Sequence, residues 1–286
     1  MKTIIVCDSG LGGLNVASRF FCFDAAGEAA KILYFNAYPS AGKGFNAIKD
    51  PRGQEKLLQN ALLAMTRFTP DLCLIACNTL SVVYERLAKY YTPSFPVVGI
   101  LDAATDMMAR ALREDPAAHL LILGTKTTVQ SGVYTQRLAD KGVDLSKVDA
   151  LAVPGLATLL ESGGKTPQVA ARIAQCANEA KRILPETKKL YLGLCCTHFS
   201  FAAPVWKEEF TRCFDKEIAL LDPDETFGGN FIGKSFQYVS RIPFFPGGKE
   251  AMTKFFAPCA SAIASALDGA TPDPGLFQVP ESFFEK

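Results

Sequence analysis

Leu72-Cys73-Leu74-Ile75-Ala76-Cys77-Asn78-Thr79 and, in the second half of the chain, Leu190-Tyr191-Leu192-Gly193-Leu194-Cys195-Cys196-Thr197-His198 read as two versions of one pattern. Each is an apolar run that ends in a thiol, followed by amide or hydroxyl side chains and then by a stretch able to form a helix. A thiol therefore stands at the carboxyl end of a buried strand in each half. Ligands of open α/β sheets bind outside those strand ends. Two thiols placed in this way suit a reaction that needs one acid and one base on opposite sides of a single carbon.

Working outward, apolar and β-branched runs recur at 3–7, 31–35, 72–76, 97–101, 120–123, 150–153, 190–194 and 218–221. The segments between them are long enough for crossover helices, for example 53–68, 81–90 and 168–184. Strands alternating with helices of this length predict βαβ units and parallel sheets. The continuous apolar character of the strands fits burial on both faces. No low-complexity linker separates the halves. Pro-rich 92–96 and the Leu221-Asp222-Pro223-Asp224 stretch are the expected crossing points, and the turn-rich tail at 271–275 is expected to matter little.

The chain has 286 residues, enough for two domains, with 49% hydrophobic and 21% charged residues and a net charge of +1. That balance offers no basic surplus for neutralising phosphates, so nucleic acid is not an expected partner. No apolar run approaches the length of a membrane span, and Met1-Lys2-Thr3-Ile4-Ile5-Val6 leads straight into a strand and Asp8, too short for a signal segment. A cytoplasmic location is expected. The two histidines, His119 and His198, and the lack of a Cys-x2-Cys pair argue against a zinc site. Of the nine cysteines, Cys7, Cys22, Cys73, Cys176, Cys213 and Cys259 read as small buried hydrophobes of a reducing compartment.

The first strand runs into Asp8-Ser9-Gly10-Leu11-Gly12-Gly13. A dinucleotide fingerprint would need glycine where Asn15 stands, and no P-loop pattern occurs, so the turn is better suited to offering backbone N–H groups to a small anion. Asp8 is placed to reach a ligand or to cap the next helix. Cys77 opens a helix, where the dipole favours thiolate, and Asn78 and Thr79 add polar groups beside free N–H groups. Cys196-Thr197-His198 repeats the arrangement with an imidazole added. Gly124-Thr125-Lys126-Thr127-Thr128 is another hydroxyl-bearing turn, with helix capping as its plainer reading, and Glu161 ends an apolar stretch where an exposed helix end would be the ordinary case.

Taken in order, Asp8-Ser9-Gly10-x-Gly12-Gly13, Ala76-Cys77-Asn78-Thr79, Gly124-Thr125-x-x-Thr128-x-x-Ser131-Gly132-x-Tyr134 and Cys196-Thr197-His198 resemble the glutamate racemases of the cofactor-independent Asp/Glu racemase superfamily. Phe244-Phe245-Pro246-Gly247-Gly248-Lys249 is similar to the strand and turn that close that fold. The resemblance covers nearly the whole chain. It implies an α/β protein of two facing domains with mainly parallel sheets and an active site in the cleft between them. The expected division is 1–98 with 224–286 for the first domain and 99–223 for the second. It further implies Cys77 and Cys196 as the catalytic pair, assisted by Asp8, His198 and Glu161. Ser9, Asn78, Thr79, Thr128 and Thr197 would hold the substrate. No cofactor and no metal are implied, the partner is a small acidic amino acid, and the product serves peptidoglycan synthesis. A homodimer is admitted, and the sequence does not fix the oligomeric state.

One stretch departs from the family. Where glutamate racemases usually carry Asp-x-x-Arg-x-Pro-Tyr-Gly, this chain reads Ala37-Tyr38-Pro39-Ser40-Ala41-Gly42-Lys43-Gly44. Lys43 and Gly44 would line the substrate, with Lys43 in place of a tyrosine, although a lysine here is as readily a solvated surface residue. The departure leaves open a relative acting on another acidic substrate, such as an aspartate or broad-specificity racemase, an isomerase or a decarboxylase. A non-catalytic binding protein is the remaining alternative, and two intact Cys motifs argue against it.

Overall fold

Lys2–Asp8 forms β1, and its apolar run is buried as the sequence predicts. The computed structural model describes residues 1–21, 27–40, 43–163, 167–243, 260–280, 282 and 284. After β1 come α1 (Leu14–Arg19), β2 (Glu28–Asn36), α2 (Pro51–Met65), β3 (Leu72–Ile75), α3 (Asn78–Leu87) and β4 (Val97–Gly99). The start of α2 shows local chemistry setting a boundary. The Asp50 carboxylate accepts from the Arg52 and Gly53 amides at 3.2 and 3.0 Å, and Pro51 supplies a fixed φ where no N–H is needed.

The chain continues through α4 (Leu101–Glu114), β5 (His119–Gly124), α5 (Lys126–Gln130), α6 (Val133–Asp140), β6 (Val148–Ala152), α7 (Leu156–Gly163), α8 (Pro167–Lys181), β7 (Lys189–Cys195), α9 (Ala203–Cys213) and β8 (Glu217–Leu221). It ends with β9 (Phe231–Ser240) and α10 (Ala260–Asp268). All eight expected strands form, as do the three crossover helices named from the sequence. The run at 97–101 is shorter as a strand, because Leu101 already begins α4. The sequence reading did not select β9, whose Gly233, Lys234, Ser235 and Gln237 interrupt its apolar character; among the described residues it is an edge strand paired with β2.

Two units result, Met1–Ile100 with Phe227–Lys286 and Leu101–Thr226. In the first, the sheet order is β4-β3-β1-β2-β9, and in the second it is β6-β5-β7-β8. Every pairing between the described strands of these sheets is parallel. In each sheet the chain leaves one central strand in one direction and later returns to build the other. The order reverses between β1 and β3 in the first unit and between β5 and β7 in the second, and such reversals are where ligands of open α/β sheets sit. Cys77 follows β3 and Cys196 follows β7, so each thiol flanks a reversal point.

The core of the first unit joins β1, β2 and β3 to α2 and α3 through residues such as Ile5, Leu33, Phe35, Leu58 and Val83. The tail contributes more than its turn-rich sequence suggests. Leu276 and Phe277 are buried in this core, the Phe277 ring stacks on Phe35 at 5.9 Å, and the Asp273 amide donates to the Ser240 carbonyl. The expectation for the tail is thereby corrected: two apolar residues just past the turns have a core to enter. Among the cysteines read as core, Cys7, Cys73 and Cys176 are buried, and burial pushes the Cys176 thiol up to about 12. Cys213 is only half-buried at the end of α9, a correction to its core reading. Cys22, Cys259 and the 244–249 motif lie outside the described residues. No helix among the described residues is long and apolar enough to cross a membrane.

In the second unit Phe199, Trp206, Phe210 and Phe214 form a run of ring contacts, with Phe210 5.9 Å from Trp206 and 5.7 Å from Phe214. Phe210→Ala should destabilise the protein by about 3–5 kcal/mol through loss of burial and a cavity. The Trp206 Nε1 is buried with no hydrogen-bond partner among the described residues. Trp206→Phe removes that unpaired donor together with some volume, and should cost less than about 1.5 kcal/mol. Urea unfolding followed by circular dichroism compares the two; equal losses would mean that volume alone decides.

Candidate active site

In the first unit the site is built from the ends of β1 and β3. Asp8 is the last residue of β1 and is fully buried, paired in register with Asn36 of β2. It does not cap α1, whose N-cap is Gly13 with no side-chain cap hydrogen bond. Instead Asp8 Oδ1 accepts from the Gly10 amide at 2.9 Å, closing the turn on itself. Gly13 is required by close approach: a Cβ there would stand 2.8 Å from the Asp8 Cβ and 2.9 Å from its Oδ2. Ser9 leaves this turn with its Oγ 3.1 Å from the Cys77 sulfur.

Cys77 is the N-cap of α3, as the sequence predicts, and Asn78 and Thr79 are buried in the first turn behind it. The helix start does not by itself produce a thiolate. Burial and the nearby Asp8 carboxylate push the Cys77 thiol well above its usual range, against hydrogen bonds from the Ser9 hydroxyl and the Leu80 and Ser9 amides. The expectation of a lowered value is corrected. For a buried sulfur, desolvation of the anion outweighs a helix dipole spread over a few amides.

In the second unit the ends of β5 and β7 converge. Cys196 follows β7 and is buried, but no α-helix starts there, a second departure from the repeated pattern. Residues Phe199–Ala202 form a short 3-10 turn, and α9 begins only at Ala203 with Pro204 in its first turn. The polar group beside the Cys196 sulfur is a side chain. His198 Nδ1 lies 3.9 Å from Cys196 Sγ, and His198 Nε2 lies 2.6 Å from Glu161 Oε1. Glu161 is therefore no exposed helix end; α7 carries it into the interior, 8% exposed. Burial opposes charge on the His198 ring, yet Glu161 and the hydrogen bonds to Glu161 and Cys196 outweigh it and hold the imidazole well above its ordinary value. The result is a thiol–imidazole–carboxylate chain able to take up and return a proton.

Thr128 and Thr197 are buried in this unit. Thr125 takes the capping role, accepting from the Thr128 amide at 3.2 Å, and its hydroxyl lies 3.0 Å from that of Thr128. Cys195 is fully buried and hydrogen-bonded to Tyr134, a buried phenol whose role beside this thiol the sequence reading did not pick out. Of the divergent loop, Lys43 is exposed, with its ammonium 5.1 Å from the centre of the Phe284 ring. Gly44 packs under Tyr38, where a Cβ would meet the ring at 3.3 Å. Ala41 and Gly42 lie outside the described residues. Asp8, Ser9, Cys77, Asn78 and Thr79 thus gather in the first unit, and Glu161, Cys196, Thr197, His198 and Thr128 in the second.

A parallel α/β architecture with a cysteine at each sheet's reversal point, one beside an aspartate and the other beside a histidine–glutamate pair, is a racemase-type constellation. The model of the Asp/Glu/Hydantoin racemase family matches residues 22–223, and the chain belongs to that family of enzymes. The glutamate racemase of Bacillus cereus is 31% identical over 230 residues, covering 79% of this chain and 77% of that protein. That of Chlorobium phaeobacteroides is 27% identical over 227 residues, covering 78% and 76%. Among solved structures, the glutamate racemase from Campylobacter jejuni subsp. jejuni superposes with a TM-score of 0.67 at 22% identity, covering 89% of this chain and 98% of that one. The glutamate racemase from Francisella tularensis in complex with D-glutamate gives 0.65 at 18% identity, covering 90% and 94%.

The His198–Glu161 pair carries a pH signature. A histidine whose value is raised in the folded state adds stability that is fully present below about pH 6.5, the unfolded value, and is lost as pH rises through the raised folded value. Glu161→Gln removes the carboxylate that sustains the shift. Thermal unfolding across this range should therefore show a smaller stability difference between acid and alkaline sides in the variant than in the native protein. An unchanged pH slope would mean that Glu161 does not charge His198. Separately, Gly13→Ala should lower turnover by roughly tenfold or more, because the new methyl displaces Asp8; steady-state kinetics of the folded variant tests this.

Proposed function

We propose that the protein is a cofactor-independent racemase that interconverts L- and D-glutamate, with Cys77 and Cys196 as its two acid/base groups. The observation that carries this reading is the duplicated placement. Two separate parallel sheets each set a cysteine at the reversal point, and each cysteine has its own proton-handling partner. Racemisation breaks the Cα–H bond and restores it from the other face, and two groups do this without either crossing the substrate plane. One thiolate takes the α-proton, and the other thiol gives its proton to the carbanion. The reverse direction exchanges their roles. In the free protein Cys77 is held as a thiol by burial and Asp8, which suits the donor role. The His198–Glu161 pair stands beside Cys196 to accept or return its proton. Ser9, Asn78, Thr79, Thr128 and Thr197 are proposed to hold the substrate's amino and carboxylate groups.

Incubation with L-glutamate in deuterated water should give exchange at Cα with inversion. Cys77→Ala and Cys196→Ala should each abolish racemisation, with native circular dichroism retained, and Cys195→Ala should keep most of the activity because its thiol faces Tyr134. An active Cys196→Ala protein with a dead Cys195→Ala protein would move the assignment by one residue. Binding without exchange would point to a protein that keeps the fold and not the chemistry.

The divergent 37–44 loop favours a second reading, a family relative acting on another acidic substrate. Lys43→Tyr tests it: a shift in relative turnover across a panel of acidic amino acids, with exchange retained, supports control by the loop. The exposure of Lys43 and its contact with Phe284 favour an unchanged panel, and hence glutamate.

A further inference from the structure

The turn after β1 is gripped from a side that proton transfer does not touch. Tyr34, fully buried in β2, donates its hydroxyl to the Gly10 carbonyl oxygen at 2.7 Å. The Gly10 amide donates in turn to Asp8 Oδ1 at 2.9 Å. Both polar groups of one glycine are thereby fixed, immediately after Ser9, whose hydroxyl lies 3.1 Å from Cys77 Sγ. The phenol is itself held in place. Its ring stacks on Tyr238 at 5.7 Å with 11° between planes. The Asn36 side-chain amide donates to the Tyr238 hydroxyl at 2.9 Å, and Asn36 pairs in register with Asp8. A buried phenol needs a partner for its hydroxyl. Here that partner belongs to the turn that touches the Cys77 sulfur.

We propose that Tyr34 is a positioning residue for Cys77, whose hydroxyl acts through the Gly10 backbone to set Ser9 Oγ against the thiol and so governs how readily that thiol exchanges its proton. This rests on the reading of Cys77 as an acid/base group. The Ser9 hydroxyl and the Ser9 and Leu80 amides are the groups that favour the thiolate against burial and Asp8, so loosening Ser9 weakens part of that set. Asp8 still holds the Gly10 amide when the phenol hydroxyl is gone.

The test is the Tyr34→Phe protein, which keeps the ring and its stack on Tyr238. Its kcat for racemisation should fall roughly tenfold with KM within about twofold, because placement rather than binding is lost. The decisive readout is the pH dependence of iodoacetamide alkylation at Cys77, resolved from Cys196 by peptide mass spectrometry. The Cys77 profile should move to higher pH, and that of Cys196 should not move. Ser9→Ala should give the same displacement, and adding Tyr34→Phe to it should give no more, since residues acting through one contact are not additive. Kinetic constants and a Cys77 profile matching the native protein would overturn the proposal. Equal displacement of both cysteines, or failure of Tyr34→Phe to fold, would overturn it as well by assigning the hydroxyl to general stability. The alkylation profile requires no turnover, so a protein inactive on every acidic amino acid would defeat the racemase reading and still report on Tyr34.

Discussion

The cost of burying charge governs both halves of this protein. Asp8 is fully buried at the end of a strand, and a carboxylate in such a place must be hydrogen-bonded. Its partner is the amide of its own turn, which requires the chain to double back at Gly10 and to pass close at Gly13. The same turn brings Ser9 to Cys77. The glycine at position 13 thus follows from one buried anion, which adds to burial in raising the neighbouring thiol's resistance to ionisation.

The two units deal with a buried thiol by different means. At Cys77 fixed dipoles and a hydroxyl oppose desolvation and a like charge, and they do not win in the free protein. At Cys196 a titratable ring held by a carboxylate stands in the place a helix start would occupy. Pro204 sits in the first turn of α9, where it needs no N–H, and the His198 imidazole lies between the Cys196 sulfur and Glu161.

Much of this was legible in the sequence because parallel strands buried on both faces leave continuous apolar runs, and the eight runs chosen on that basis all form strands. β9 escaped because an edge strand tolerates Gly233, Lys234 and Ser235, and so hides its periodicity. Cys77 at a helix start was readable from the strand–thiol–amide order. Its raised proton affinity was not, since desolvation depends on what packs around the sulfur. The Glu161–His198 contact joins residues far apart in the chain and could be suggested only by resemblance. Tyr34 was indistinguishable from any aromatic core residue, because the destination of a phenol hydroxyl is decided across strands. The tail misled for a related reason: its turn residues were plain, and the two apolar residues beyond them had no visible partner until Phe35 was in place.

The first unit is assembled from both ends of the chain, whereas Leu101–Thr226 is continuous. During synthesis the continuous unit has all four of its strands before β9 exists. The first sheet must wait with one side of β2 unpaired and Phe35 lacking Phe277. Domains fold as units as they emerge, and open strand edges invite wrong pairing. The nascent chain therefore carries an open edge on β2 until the whole of the second unit has been made, and β9 is the strand that closes it.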